Sequence, residues 1–183
     1  MSWISFDCLA WQPAPMPYGS GPVEVASLPY TGGGFLAFVR FPPGWIRSTP
    51  VVYKATEEFV IIEGTLRVND TIWAPNSYGS VGAGVVRHIT ESLTGCLAWA
   101  RFHGSPRALR LESVGAPASP REDALVSHDL SNVPAQSGPG SERHWLLREK
   151  TGETWLSPQF DDEQLHLKGQ PCDALSLQDR SWW

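Results

Sequence analysis

A chain of 183 residues can bury one substantial core but is short for two ordinary domains. Its 42% hydrophobic and 18% charged residues make a folded composition. A net charge of -5 without any cluster of Lys or Arg leaves out the basic face that nonspecific nucleic-acid binding needs, and the short, interrupted apolar runs leave out a membrane span. The opening Met1-Ser-Trp-Ile-Ser-Phe-Asp7 has no basic flank, so no signal peptide is expected. The three cysteines, Cys8, Cys96 and Cys172, are odd in number and widely spaced. They fit free thiols in a reducing, cytoplasmic setting, and none forms a C-x-x-C zinc pair.

In chain order, residues 1–20 read as an irregular arm stiffened by Pro13, Pro15 and Pro17. Short β runs follow at 23–28, 34–41, 47–53, 57–62 and 65–73, with turn chemistry at Pro42-Pro-Gly44, Gly64 and Asn69-Asp70. Further runs are expected around 79–89, 97–102 and 108–114. Many short strands at close spacing, with no amphipathic helix among them, predict an all-β sandwich or barrel. Residues 115–142 are rich in Pro, Ser and Gly and read as loop, and 143–156 as a hairpin turning at Thr151-Gly152. A weak helical pattern spans 161–167. The expected organisation is one domain over 1–183, with a core barrel at about 23–114 and a tail from 143 onwards. The Trp182-Trp183 end and the proline-rich start are apolar enough to predict a homodimer. Nine tryptophans serve either packing or an aromatic-lined pocket, with packing the more frequent role of any one ring.

Three stretches carry a family resemblance: Phe41-Pro-Pro-Gly44, Glu57-Glu-Phe-Val-Ile-Ile-Glu-Gly64, and Trp73-Ala-Pro-Asn-Ser-Tyr78 running on to Gly95-Cys96. On these, residues 34–104 resemble the cupin superfamily and, more narrowly, its ChrR-like branch, which includes dihydroxyacetophenone- and acetylacetone-type dioxygenases. The resemblance implies an all-β cupin barrel, a double-stranded β-helix or jelly roll. It fixes no activity. The family's first motif runs Gly, His-x-His, then Glu, six residues and Gly, and Glu57 to Gly64 fits its last part. The two His positions fall on Pro50 and Val52 or on Val51 and Tyr53, depending on the spacing variant. No histidine precedes His88 in the chain. In the second motif the expected His falls on Arg87, with His88 one residue late, and only a β-bulge would turn His88 inward. The resemblance therefore comes without the metal-binding pattern, and neither metal nor cofactor is expected.

Strand alternation with the family register points Glu57, Phe59 and Ile61 inward and Glu58, Val60 and Ile62 outward. Glu57, His88, Tyr53 and Arg87 are then the candidate acid/base groups. Arg47, or Arg101 beyond it, is a candidate cation for a substrate carboxylate or enolate. In Leu97-Ala-Trp-Ala-Arg-Phe-His103, Trp99, Arg101 and His103 share one face and Ala98, Ala100 and Phe102 the other. Either face can be the inner one. Phe59, Ile61, Trp99, Arg101 and His103 complete the expected ligand-binding set. Cys96 reads as a small buried hydrophobe.

Three functions follow. The first is a metal-independent isomerase, cyclase or lyase acting on an apolar or aromatic carbonyl compound. The second, from the narrower resemblance, is a metal-dependent dioxygenase with ligands rebuilt from Glu57, His88 and His103. The third is a non-catalytic cupin that senses a small ligand or serves assembly.

Overall fold

A computed structural model of the chain describes residues 9–28 and 34–113 in full, and as backbone the strand segments 3–4, 125–129, 136–137, 143–149, 152–156 and 167–168. The strands are Trp3–Ile4 (β1), Gln12–Ala14 (β2), Val23–Ser27 (β3), Phe35–Phe41 (β4), Trp45–Arg47 (β5) and Val51–Tyr53 (β6). Glu57–Gly64 (β7), Leu66–Val68 (β8), Thr71–Trp73 (β9), Ser77–Val81 (β10), Thr90–Ser92 (β11) and Cys96–Phe102 (β12) follow. The last are Ala108–Arg110 (β13), Leu125–Asp129 (β14), Gln136–Ser137 (β15), Arg143–Glu149 (β16), Gly152–Leu156 (β17) and Leu167–Lys168 (β18). Among the described residues the only helical turn is the 3-10 segment Leu111–Ser113, and no helix is long and apolar enough to cross a membrane.

The chain groups into two compact units: Trp11–Ser131 with Asp179–Trp183, and Met1–Ala10 with Asn132–Gln178. In the second unit β16 and β17 form the expected hairpin, with Glu149 opposite Gly152, and β15 pairs beside β16. Of the helical pattern expected over 161–167, only Leu167 is described, and it opens β18; the rest and the Trp182-Trp183 end lie outside the described residues.

The first unit is a pair of antiparallel sheets. A seven-stranded sheet runs β14-β10-β7-β12-β4-β3-β2, and a four-stranded sheet runs β5-β11-β8-β9. A two-stranded ladder joins β13 to β6. The turns form as their residues dictate. Asn69 takes a left-handed backbone (φ 55°) in the two-residue loop between Val68 and Thr71. Gly64 does the same (φ 69°) where β7 gives way to β8, and a Cβ there would lie 1.9 Å from the Gly95 carbonyl oxygen.

Two sequence expectations need correction. The arm at 1–20 is not irregular throughout, because β2 folds back and pairs with β3, Gln12 opposite Val25. Pro13 is tolerated there because β2 is an edge strand. The expected loop at 115–142 contains β14, which covers β10 with Tyr78 opposite His128. Neither short segment alternates cleanly; each is extended by the ladder partner that a sheet edge offers.

The inner faces of the sheets meet in a core that includes Val25, Ala37, Val39, Phe41, Trp45, Phe59, Ile61, Val68 and Trp73. Removing this much apolar surface from water is the main force holding the sheets together.

Candidate active site

A cavity of about 50 Å³ opens between the two sheets. Most of its wall is apolar: Val25, Phe35, Val39, Phe41, Phe59, Leu66, Ala98, Ala100 and Phe102 line it, with Met16, Trp45 and Pro106. The polar lining is Arg47, Tyr53, Glu57, Arg87 and Thr90.

These five residues arrive from five places. Glu57 opens β7 and Phe59 follows on the same face. Tyr53 closes β6, Arg47 closes β5, and Thr90 opens β11 directly opposite Arg47. Arg87 lies in the segment between β10 and β11, where it exchanges two backbone hydrogen bonds with Val51, at 2.8 and 3.1 Å. Asn69 fastens that segment from the other side. Its Nδ2 donates to the Val86 carbonyl at 2.9 Å, and its Oδ1 accepts from the His88 amide at 2.8 Å.

The side chains form a chain of contacts. The Nη1 of Arg87 donates to Oε2 of Glu57, and the Arg87 guanidinium lies 4.4 Å from the Tyr53 ring centre, a cation–π contact. The Tyr53 hydroxyl accepts from Nη1 of Arg47 at 2.9 Å and points its own proton at the Met16 sulfur, 3.9 Å away. A thioether is a weak acceptor, so that proton is readily given to a better one. The Nη2 of Arg47 donates to the Thr90 hydroxyl at 3.0 Å. Both guanidinium side chains are deeply buried, with residue exposures of 2% for Arg47 and 4% for Arg87. Nε of Arg47, and Nε and Nη2 of Arg87, find no acceptor among the described residues.

No protein-family model matches the sequence, and neither does any curated protein. Solved structures do match. A candidate dioxygenase from Nostoc punctiforme PCC 73102 superposes with a TM-score of 0.60 at 17% identity, over 85% of this chain and 59% of its own length. A candidate acetylacetone dioxygenase from Methylibium petroleiphilum PM1 gives 0.52 at 17% identity, over 72% of this chain and 91% of its own. The fold is that of a cupin. At this identity the likeness is one of fold, and the chain spans little more than half of the first relative.

Tyr53, Glu57 and Arg87, three of the acid/base candidates expected from the sequence, are brought to one cavity. The residues present do not suit a metal. Among the described residues the cavity offers one carboxylate, already engaged by a guanidinium, no histidine, and two buried cations that would repel a third. Among the described residues no three His, Cys, Asp or Glu side chains come together.

Of the other expected site residues, Arg47 and Phe59 line the cavity, as does Glu57 at the head of the site. Ile61 faces inward but is packed into the core and does not reach the cavity. His88 is exposed, because no bulge turns it in and Arg87 takes the inner position. Trp99 and Arg101 lie on the face of β12 away from the cavity, which Ala98, Ala100 and Phe102 line instead, and His103, just past the end of β12, joins Glu58 on that outer side. The reason is partnership across the sheet. Arg101 sits opposite Glu58, and its Nε donates to Oε2 of Glu58 at 2.9 Å. The Nε2 of His103 is 2.6 Å from the same oxygen, and the Tyr78 hydroxyl donates to Oε1 at 2.6 Å. Burial acts to raise the Glu58 carboxyl, but the hydrogen bonds from Tyr78, Arg101 and His103 outweigh it and hold the group below its ordinary value. Tyr78 is pushed up by burial and by its bond to Glu58.

Sequence reasoning missed Met16 and Thr90 and read Asn69 only as a turn residue; the return of the arm, the pairing of β5 with β11 and the clasp on residues 86–88 bring them to the site.

Proposed function

We propose that this cupin is a metal-independent enzyme that moves a proton next to a carbonyl group, as an isomerase, cyclase or lyase does. The observation that carries the reading is the pairing, inside one apolar cavity, of a carboxylate with a hydroxyl whose proton lacks a strong acceptor: Glu57 and Tyr53. Arg87 engages Oε2 of Glu57 and leaves Oε1 for another partner. Glu57 takes the proton from the carbon beside the carbonyl, the C–H electron pair forms a C=C bond to the carbonyl carbon, and the C=O π pair moves onto oxygen to give an enolate. The Tyr53 hydroxyl and Arg47 stabilise the charge on that oxygen. Return of the proton to another atom completes an isomerisation, and no oxidant is consumed. Apolar walls of Val, Leu, Phe and Ala keep water away from the enolate.

The test is exchange. Small ketones and oxo acids incubated with the protein in deuterium oxide should gain deuterium at the carbon beside the carbonyl, followed by proton NMR. Glu57→Gln should slow that gain by about a hundredfold or more, the usual worth of a positioned base. Iron, nickel or zinc bound in a 1:1 ratio by the purified protein, and lost in Glu57→Gln, would sink the reading and favour a metal-dependent cupin.

A further inference from the structure

Among the described residues, Arg47 is a buried cation with no carboxylate of its own, and Glu57 is the only acidic residue lining the cavity, where it belongs to Arg87. A desolvated, uncompensated guanidinium is costly unless something else carries the missing charge and accepts the spare hydrogen bonds. Three nitrogen donors are spare, on Arg47 and Arg87, all of them buried. The Arg47–Tyr53–Arg87 contacts hold these two side chains around a single phenol ring.

We propose that the cavity binds a small monocarboxylate, held between the Arg47 and Arg87 guanidiniums that line it. This deepens the enzymatic reading and rests on the same cavity. A carboxylate matches the planar, forked donors of guanidinium better than any neutral group. The charge balance fixes the valence. Two guanidiniums and one glutamate leave one positive charge in the lining, which a monoanion cancels and a dianion overshoots. The volume of about 50 Å³ and the apolar wall of Val39, Leu66, Ala98 and Ala100 set the rest of the molecule: a short aliphatic body carrying the carbonyl. The substrate class is therefore a small oxo acid, not the neutral diketone that the name of one structural relative would suggest.

Isothermal titration with 2-oxobutanoate, its amide, acetylacetone and inorganic phosphate separates the cases. We expect 2-oxobutanoate to bind at least tenfold more tightly than its amide and than phosphate. Arg47→Met should abolish that preference while leaving the ligand-free melting temperature equal or higher, because it removes an uncompensated buried charge. Arg47→Lys keeps the charge without the fork and should recover part of the preference. Equal binding of acid and amide, tighter binding of phosphate, or binding of none of the probes would each overturn the proposal. The proton-transfer reading fails separately. Carboxylate binding without deuterium gain in any compound would leave the anion site standing, and deuterium gain in acetylacetone alone would do the reverse.

Discussion

Glu57 and Glu58 are neighbours in the chain, face opposite sides of one sheet, and each meets an arginine. On the outer side, both oxygens of Glu58 are bonded, by Tyr78, Arg101 and His103. That network is closed, and its donors serve to hold β7, β10 and β12 in register. On the inner side, Arg87 gives Glu57 one nitrogen, and among the described residues Arg47 finds no carboxylate and three buried donors remain over. The same pair of residue types thus makes a structural tie on one face and an unfinished site on the other. What separates them is the count of donors against acceptors, not burial or charge taken alone.

Removing Arg87 should expose that difference most. Arg87→Met strands the Glu57 carboxylate, 14% exposed, without its partner, and should cost about 3–5 kcal/mol in chemical denaturation. Adding Glu57→Gln to it should return part of the loss, and strict additivity of the two would mean that the pair is not coupled. The next effect is steric. A Cβ on Gly79 would lie 2.4 Å from the Phe59 ring and 2.7 Å from the Trp73 indole nitrogen, so Gly79→Ala should cost about 1–3 kcal/mol and drive Phe59 into the cavity. Ligand binding should then fall further than stability does. On the outer face, Glu58→Gln should cost less than Arg87→Met. Its signature is in pH: the folded Glu58 carboxyl lies below its ordinary 4.5, so its contribution is full above that value and is lost as pH falls through the folded one. The variant should flatten that acid limb of the stability profile, and an unchanged limb would mean the network is not what holds the outer face. The smallest effect concerns Cys96, whose buried thiol is pushed up to about 12 by desolvation. The peptide containing it should stay unmodified by a thiol reagent at pH 8 in the native protein and react only after unfolding.

The fold was legible because short runs with period-two alternation and turn residues at Gly44, Gly64 and Asn69 leave little else to build. Alternation put Glu57 and Glu58 on opposite faces, and the register of the cupin resemblance chose Glu57 as the inward one. The faces of β12 did not. Its alternating pattern is symmetric, and the choice depended on Glu58 drawing Arg101 outward, which leaves small alanines to make room for a cavity. His88 was equally open from sequence, since only the pairing of Arg87 with Val51 shows that no residue is inserted. Met16 and Thr90 had no signal to read, because both act as acceptors for groups that arrive from elsewhere in the chain.

Arg87 reaches the cavity from a stretch tied down by one backbone bridge to Val51 and by the Asn69 side chain. A site built this way reports its own occupancy at the surface. Any molecule that grips the guanidinium also quiets the backbone that carries it, so the amides of Arg87 and the exposed His88 should exchange with solvent more slowly when the cavity is filled. The amides of the β12 ladder, locked between two neighbouring strands, should not notice.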